Sequence, residues 1–83
     1  VNKPAFKRKY RKCAICEQDR YELLDVHRIV EGQEYSEGNC VVLCANCHRR
    51  HHTGLIKIRE KRHSSLGYVL IYEINGQEII TLL

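Results

Sequence analysis

A chain of 83 residues with a formal net charge of +4, five cysteines and neither tryptophan nor methionine describes one small domain and excludes a multidomain enzyme. No apolar run approaches the roughly 18 residues a membrane-spanning helix needs, and the basic N-terminus lacks the apolar core of a signal peptide. The expected location is therefore cytoplasmic, with no membrane partner, and a start at Val1 reads as a processed or excised domain.

Residues 1–12 carry Lys3, Lys7, Arg8, Lys9, Arg11 and Lys12 and no acid. They read as a basic arm, either a solvated and partly disordered end or a segment that tracks phosphates and releases counterions on binding nucleic acid. Phe6 and Tyr10 within it offer rings that can stack on bases.

A cysteine-bounded core follows over residues 13–54. Tyr21 to Val30 suits a strand, with apolar side chains at Leu23, Leu24, Val26 and Ile29, and Glu31 to Asn39, with Gly32 and Gly38, is a loop. Cys40 to Leu43 is a short apolar run entering Cys44. Ala45 to Thr53 is compatible with a helix closed by Gly54.

Residues 55–83 have strand composition and extend the same domain. Leu55, Lys57 and Arg59 alternate with Ile56, Ile58 and Glu60, and Tyr68–Ile74 and Gln77–Leu82 flank Asn75-Gly76. Asn-Gly between apolar runs predicts a hairpin, because a type I′ turn needs two positive φ values. The hairpin gives the small core a sheet to pack against, and its apolar face leaves either a monomer or a homodimer open.

Cys13-x-x-Cys16 and Cys44-x-x-Cys47 are separated by 27 residues. A two-residue gap lets both thiolates of a pair point into one tetrahedron, and four thiolates make a closed structural zinc site. In a reducing compartment that reading is preferred to disulfides. A domain of this size buries only about 60 per cent of its unfolded surface, and zinc binding adds on the order of 10 kcal/mol to folding. Cys40, the odd thiol, reads as a small buried hydrophobe. The histidines form a second constellation. His48 and His52 are four apart on the predicted helix, the spacing that lets two imidazoles reach one cation, and His27 lies on the strand before it. The competing reading is a surface cluster of His48, His51 and His52.

The run Cys13-x-x-Cys16, Leu24-Asp25-Val26-His27-Arg28-Ile29, Asn39-Cys40-Val41-Val42-Leu43-Cys44-Ala45-Asn46-Cys47-His48 and His52 closely resembles the HNH endonuclease family. The resemblance spans residues 13–54 and implies an α+β fold, a small zinc-stapled ββα-metal core with the C-terminal β-hairpin appended. It implies a metal-dependent DNA endonuclease of a phage, mobile-element or restriction system. His27, His48 and His52 would hold the catalytic cation (manganese, magnesium, nickel or zinc), and Asn39 would position a catalytic group. The family places a histidine base directly after the strand ligand, where this chain has Arg28. Guanidinium stays protonated but grips phosphate bidentately, so Arg28 is read as a phosphate clamp. Either the base is then His27, with Asp25 joining the helix ligands, or another group such as His51 or a tyrosine takes the proton, or catalysis has been lost. Lys7, Arg8, Lys9, Arg11, Lys12, Arg49 and Arg50 are the candidate DNA contacts, with Lys57, Arg59, Lys61 and Arg62 extending the positive strip. A non-catalytic zinc-ribbon DNA-binding module and a zinc-stapled protein-interaction domain are the alternatives.

Overall fold

The computed structural model describes residues 1–83, a small α+β arrangement of two helices and two antiparallel sheets. The N-terminal segment is folded: Lys3–Tyr10 is a helix, α1. Asn2 caps it, its Oδ1 accepting from Ala5 N at 3.0 Å, and Pro4 supplies a pre-set φ in the first turn. Lys7, Arg8 and Lys9 stand in its last turn, where cations suit the helix dipole. The helix buries Phe6, which is 4% exposed and packs in the main core. Phe6 is thus not free to stack on bases, and the arm is not a loose tail.

A single 3-10 turn, Tyr21–Leu23, leads into β1 (Leu24–Arg28), shorter than the strand expected from composition. β1 pairs antiparallel with β2 (Cys40–Cys44), in a register that sets Asp25 opposite Leu43 and His27 opposite Val41. Every residue of β2 is buried, as the apolar run required. The helix α2 (Ala45–His52) follows without a linker. Its end matches a Schellman motif: Leu55 N donates to Arg50 O at 3.0 Å and Gly54 N to His51 O at 3.1 Å. Gly54 adopts φ +84°, which explains a glycine at that position.

The chain then forms a three-stranded meander, β3 (Ile56–Ser64), β4 (Gly67–Ile74) and β5 (Gln77–Leu82), in the order β3-β4-β5. Asn75 and Gly76 both have positive φ, 53° and 78°, giving the expected primed turn. Ile56, Leu70 and Tyr72 from this sheet join Leu24, Val41, Val42, Leu43 and Phe6 in one core. His63 is exposed on β3.

The sheet is tied to the N-terminal half by Lys61. Its Nζ donates to Glu37 O at 2.5 Å and Cys40 O at 2.8 Å, and lies 4.4 Å from the Tyr68 ring centroid and 5.2 Å from that of Phe6. Partial burial lowers its pKa, with the Glu37 charge opposing.

Candidate metal centre and histidine cluster

Two local turns bring the cysteines together. After α1 the chain reverses at Cys13–Glu17: Glu17 N donates to Cys13 O at 3.1 Å, Ile15 N points at Cys13 Sγ at 3.5 Å, and Glu17 takes φ 66°. Ala14 N donates to Val42 O at 2.9 Å, which fixes this turn beside β2. The second pair sits at the β2–α2 junction, where Cys44 is the N-cap of α2 and its Sγ accepts from Cys47 N at 3.4 Å.

The Sγ atoms of Cys13, Cys16, Cys44 and Cys47 all lie within 4.8 Å of one another. Sulfurs around a tetrahedral zinc, each about 2.3 Å from the ion, stand at comparable separations, and Cys16 and Cys44 are 3.4 Å apart. Cys13, Cys44 and Cys47 are buried while Cys16 is exposed. Burial pushes the Cys47 thiol up, helped by the charge of Cys13, and burial likewise raises Cys16. Burial pushes Cys44 up as well, but the Cys47 backbone N–H and the neighbouring thiols together bring it lower. Four crowded sulfurs, three of them buried, fit a thiophilic divalent cation that holds them all as thiolates. Cys40 stays apart from this group and is fully buried in the core, the role its apolar neighbours suggested.

The histidines meet where α2 crosses the β1–β2 pair. His27 projects from β1 and is 6% exposed, and its Nε2 is buried without a hydrogen-bond partner. Its ring centroid lies 5.0 Å from His48, 4.6 Å from His51 and 6.2 Å from His52. His48 and His52 bring their Nε2 atoms to 3.0 Å. The other side of His48 faces Asp25, with Oδ2 3.8 Å from Nδ1. His51 Nδ1 is 3.4 Å from the Ile56 carbonyl oxygen. Burial, then the neighbouring charges of His51, His48 and His52, press the His27 pKa down to about 4. The cysteine quartet is the group whose ligand atoms stand close enough together to hold a metal ion; the histidine rings are gathered more loosely.

Asn39 and Arg28 lie apart from these rings. Asn39 is buried, and its amide is spent on the β1–β2 loop: Oδ1 accepts from Val30 N at 2.9 Å, and Nδ2 donates to Val30 O at 3.2 Å and Glu34 O at 2.9 Å. The period-two strand rule sends Arg28 to the face opposite His27. There its guanidinium lies 4.6 Å from the Tyr35 ring centroid and donates to Gln33 O at 3.2 Å.

Some of the candidate DNA contacts are already engaged within the chain. Lys7 Nζ donates to Leu24 O at 3.1 Å, Lys9 pairs with Glu37 at 2.7 Å, and Lys12 pairs with Glu17 at 3.1 Å. On β3, Arg59 pairs with Glu73 and Arg62 with Glu60. Arg8, Arg11, Arg49 and Arg50 are exposed and form no ion pair.

Two organising residues were missed from sequence. Glu37 receives Lys9 Nζ and the Tyr10 hydroxyl, both at 2.7 Å, and those bonds hold its carboxyl below the usual range. Lys61 reads in sequence as one more cation of a basic run. For α1 a signal did exist, since Asn2 followed by Pro4 is a cap signature. Comparison of the chain with family models, curated proteins and solved structures returned no match, so the resemblance rests on the motif residues themselves.

Proposed function

We propose that the chain is a metal-dependent DNA endonuclease of the HNH type, with a structural zinc on Cys13, Cys16, Cys44 and Cys47. The observation that carries the reading is the buried, unpartnered Nε2 of His27 beside the His48, His51 and His52 rings, on a strand–strand–helix unit that also bears the cysteine quartet. A buried polar atom without a partner costs about 1–3 kcal/mol, and a ligand there would remove that cost.

In this reading His27, His48 and His52 hold the catalytic cation, and Asp25 orients His48 through Nδ1. When bound, the cation neutralises charge on the scissile phosphate and the departing 3′ oxygen. Imidazole donors favour nickel or zinc over magnesium. Arg28 stays cationic and offers its remaining N–H groups to a phosphate from the Tyr35 side. His51 is the imidazole left over. With Nδ1–H turned to the Ile56 carbonyl, its Nε2 takes the proton of the attacking water. Arg8, Arg11, Arg49 and Arg50 contact phosphates without reading bases.

A second reading is a non-catalytic zinc-ribbon DNA-binding module. It is favoured by the engagement of both Asn39 and Arg28 in the loop after β1. Incubating the zinc-loaded chain with supercoiled plasmid, with manganese, magnesium, nickel, extra zinc or no added cation, separates the two. The nuclease reading expects cation-dependent nicking that falls at least about 100-fold in His48→Ala while its circular dichroism is unchanged. Intact DNA under every cation, with gel-shift binding that weakens as salt rises, would leave only the binding module.

A further inference from the structure

The two edges of the β3-β4-β5 sheet are built differently. β3 carries Lys57, Arg59, Lys61 and Arg62 and is broken by a register shift between Ile58 and Glu60. Charges and bulges of this kind keep an edge from pairing with another chain. β5, at the other edge, has no bulge and one charge, Glu78: it pairs with β4 in unbroken register from Gln77 to Leu82 and contains no lysine, arginine or proline. Two large apolar side chains project from it, Ile80 at 65% exposure and Leu82 at 55%.

The backbone fixes what this edge can accept. Leu83 N donates to Tyr68 O at 2.9 Å, and antiparallel alternation then points the amides and carbonyls of Thr81, Ile79 and Gln77 toward β4. Those of Leu82, Ile80 and Glu78 point outward, with no partner. We infer that β5 is a homodimer interface, at which two copies of the chain join their β5 strands antiparallel about a two-fold axis through Ile80.

Self-complementarity selects a second copy as the occupant. In this register Ile80 exchanges both backbone hydrogen bonds with Ile80 of the second copy, and Glu78 does so with Leu82, so every outward group of the strand is paired. No carboxylate faces a carboxylate. The exposed Ile80 side chains of the two copies meet at the axis, each beside the buried Ile71 of its own chain, across a continuous six-stranded sheet. One strand edge is smaller than a standard interface, so a weak, concentration-dependent dimer is expected. The inference does not depend on the nuclease reading.

Sedimentation velocity of the zinc-loaded full chain, from the low micromolar to the high micromolar range, tests it. The expected result is a closed monomer–dimer equilibrium, with the Ile80 amide exchanging more slowly as concentration rises. Ile80→Pro removes an amide that makes no bond to β4, a substitution edge strands accept, and Ile80→Lys installs the missing edge charge. Each should weaken the dimer at least about tenfold with zinc content and circular dichroism intact, while Arg62→Glu on the opposite edge leaves it unchanged. A monomer throughout, a dimer indifferent to both Ile80 variants, or growth into open-ended oligomers would overturn the proposal. If neither variant folds, the concentration dependence of Ile80 exchange in the unaltered chain decides, and its absence is equally fatal.

Discussion

Asn39→Ala separates a loop-fastening role from a chemical one. The Asn39 amide is 8% exposed and makes three hydrogen bonds, to Val30 N, Val30 O and Glu34 O. At about 1 kcal/mol net for each, truncation costs about 3 kcal/mol. For a domain of this size each kcal/mol moves Tm by roughly 4–8 °C, so thermal unfolding at fixed zinc excess should shift down by about 12–24 °C. Asn39→Asp keeps the acceptor for Val30 N but turns a carboxylate toward two carbonyl oxygens, so it should be no milder than alanine. A shift below about 4 °C, or an aspartate variant clearly milder than alanine, would show that the amide does not fasten the loop. On the nuclease reading, DNA cleavage measured well below the lowered Tm should then persist in Asn39→Ala, whereas a residue acting on the reaction itself would lose activity while folded.

With zinc in the cysteine quartet, chelating it should unfold the domain, since four clustered thiols without a cation forfeit apparent folding energy on the order of 10 kcal/mol. Far-UV circular dichroism during chelation checks this, and a native spectrum in the metal-free chain would refute it. Phe6→Ala should cost about 3–5 kcal/mol in denaturant titrations if α1 is a packed element, and almost nothing if residues 1–12 are a free arm. The third expectation concerns pH. His27 is held near 4 by burial and by His51, His48 and His52, against 6.5 in the unfolded chain. The unfolded state therefore binds the proton first as pH falls. Stability is full above about pH 6.5 and is lost toward pH 4 with a slope of at most about 1.4 kcal/mol per unit. Urea titrations at neutral and mildly acidic pH measure it with zinc held at one equivalent, and His27→Phe should flatten that part of the profile.

The parts of the fold legible in the sequence were those fixed locally. Cysteine spacing located the quartet, Asn75-Gly76 the hairpin, and Gly54 the end of α2, because each depends on a few neighbouring residues. The extent of β1 was less legible, since apolar composition runs past the point where hydrogen bonding to β2 stops at Leu24. The basic arm was misjudged for a physical reason: its charges dominate the composition, yet one buried Phe6 and a satisfied cap at Asn2 suffice to dock a two-turn helix. Lys61 was illegible because its partners are carbonyls and rings remote in sequence. At the candidate site, the i, i+4 spacing brought His48 and His52 together as expected. That His51 also reaches His27 follows from where α2 crosses β1, which no spacing rule encodes.

Cys44 ends β2, starts α2 as its N-cap and supplies one sulfur to the quartet. The heading of α2 is therefore referenced to a sulfur whose position a cation in the quartet would set, and His48 and His52 ride on that helix one and two turns further on. The quartet acts as the pivot of a short lever with the imidazoles at its far end. A larger thiophilic ion in the quartet, with longer bonds to sulfur, would swing the imidazoles relative to His27 without any change of sequence, so the spacing of the histidine rings would answer to whichever cation the cysteines held.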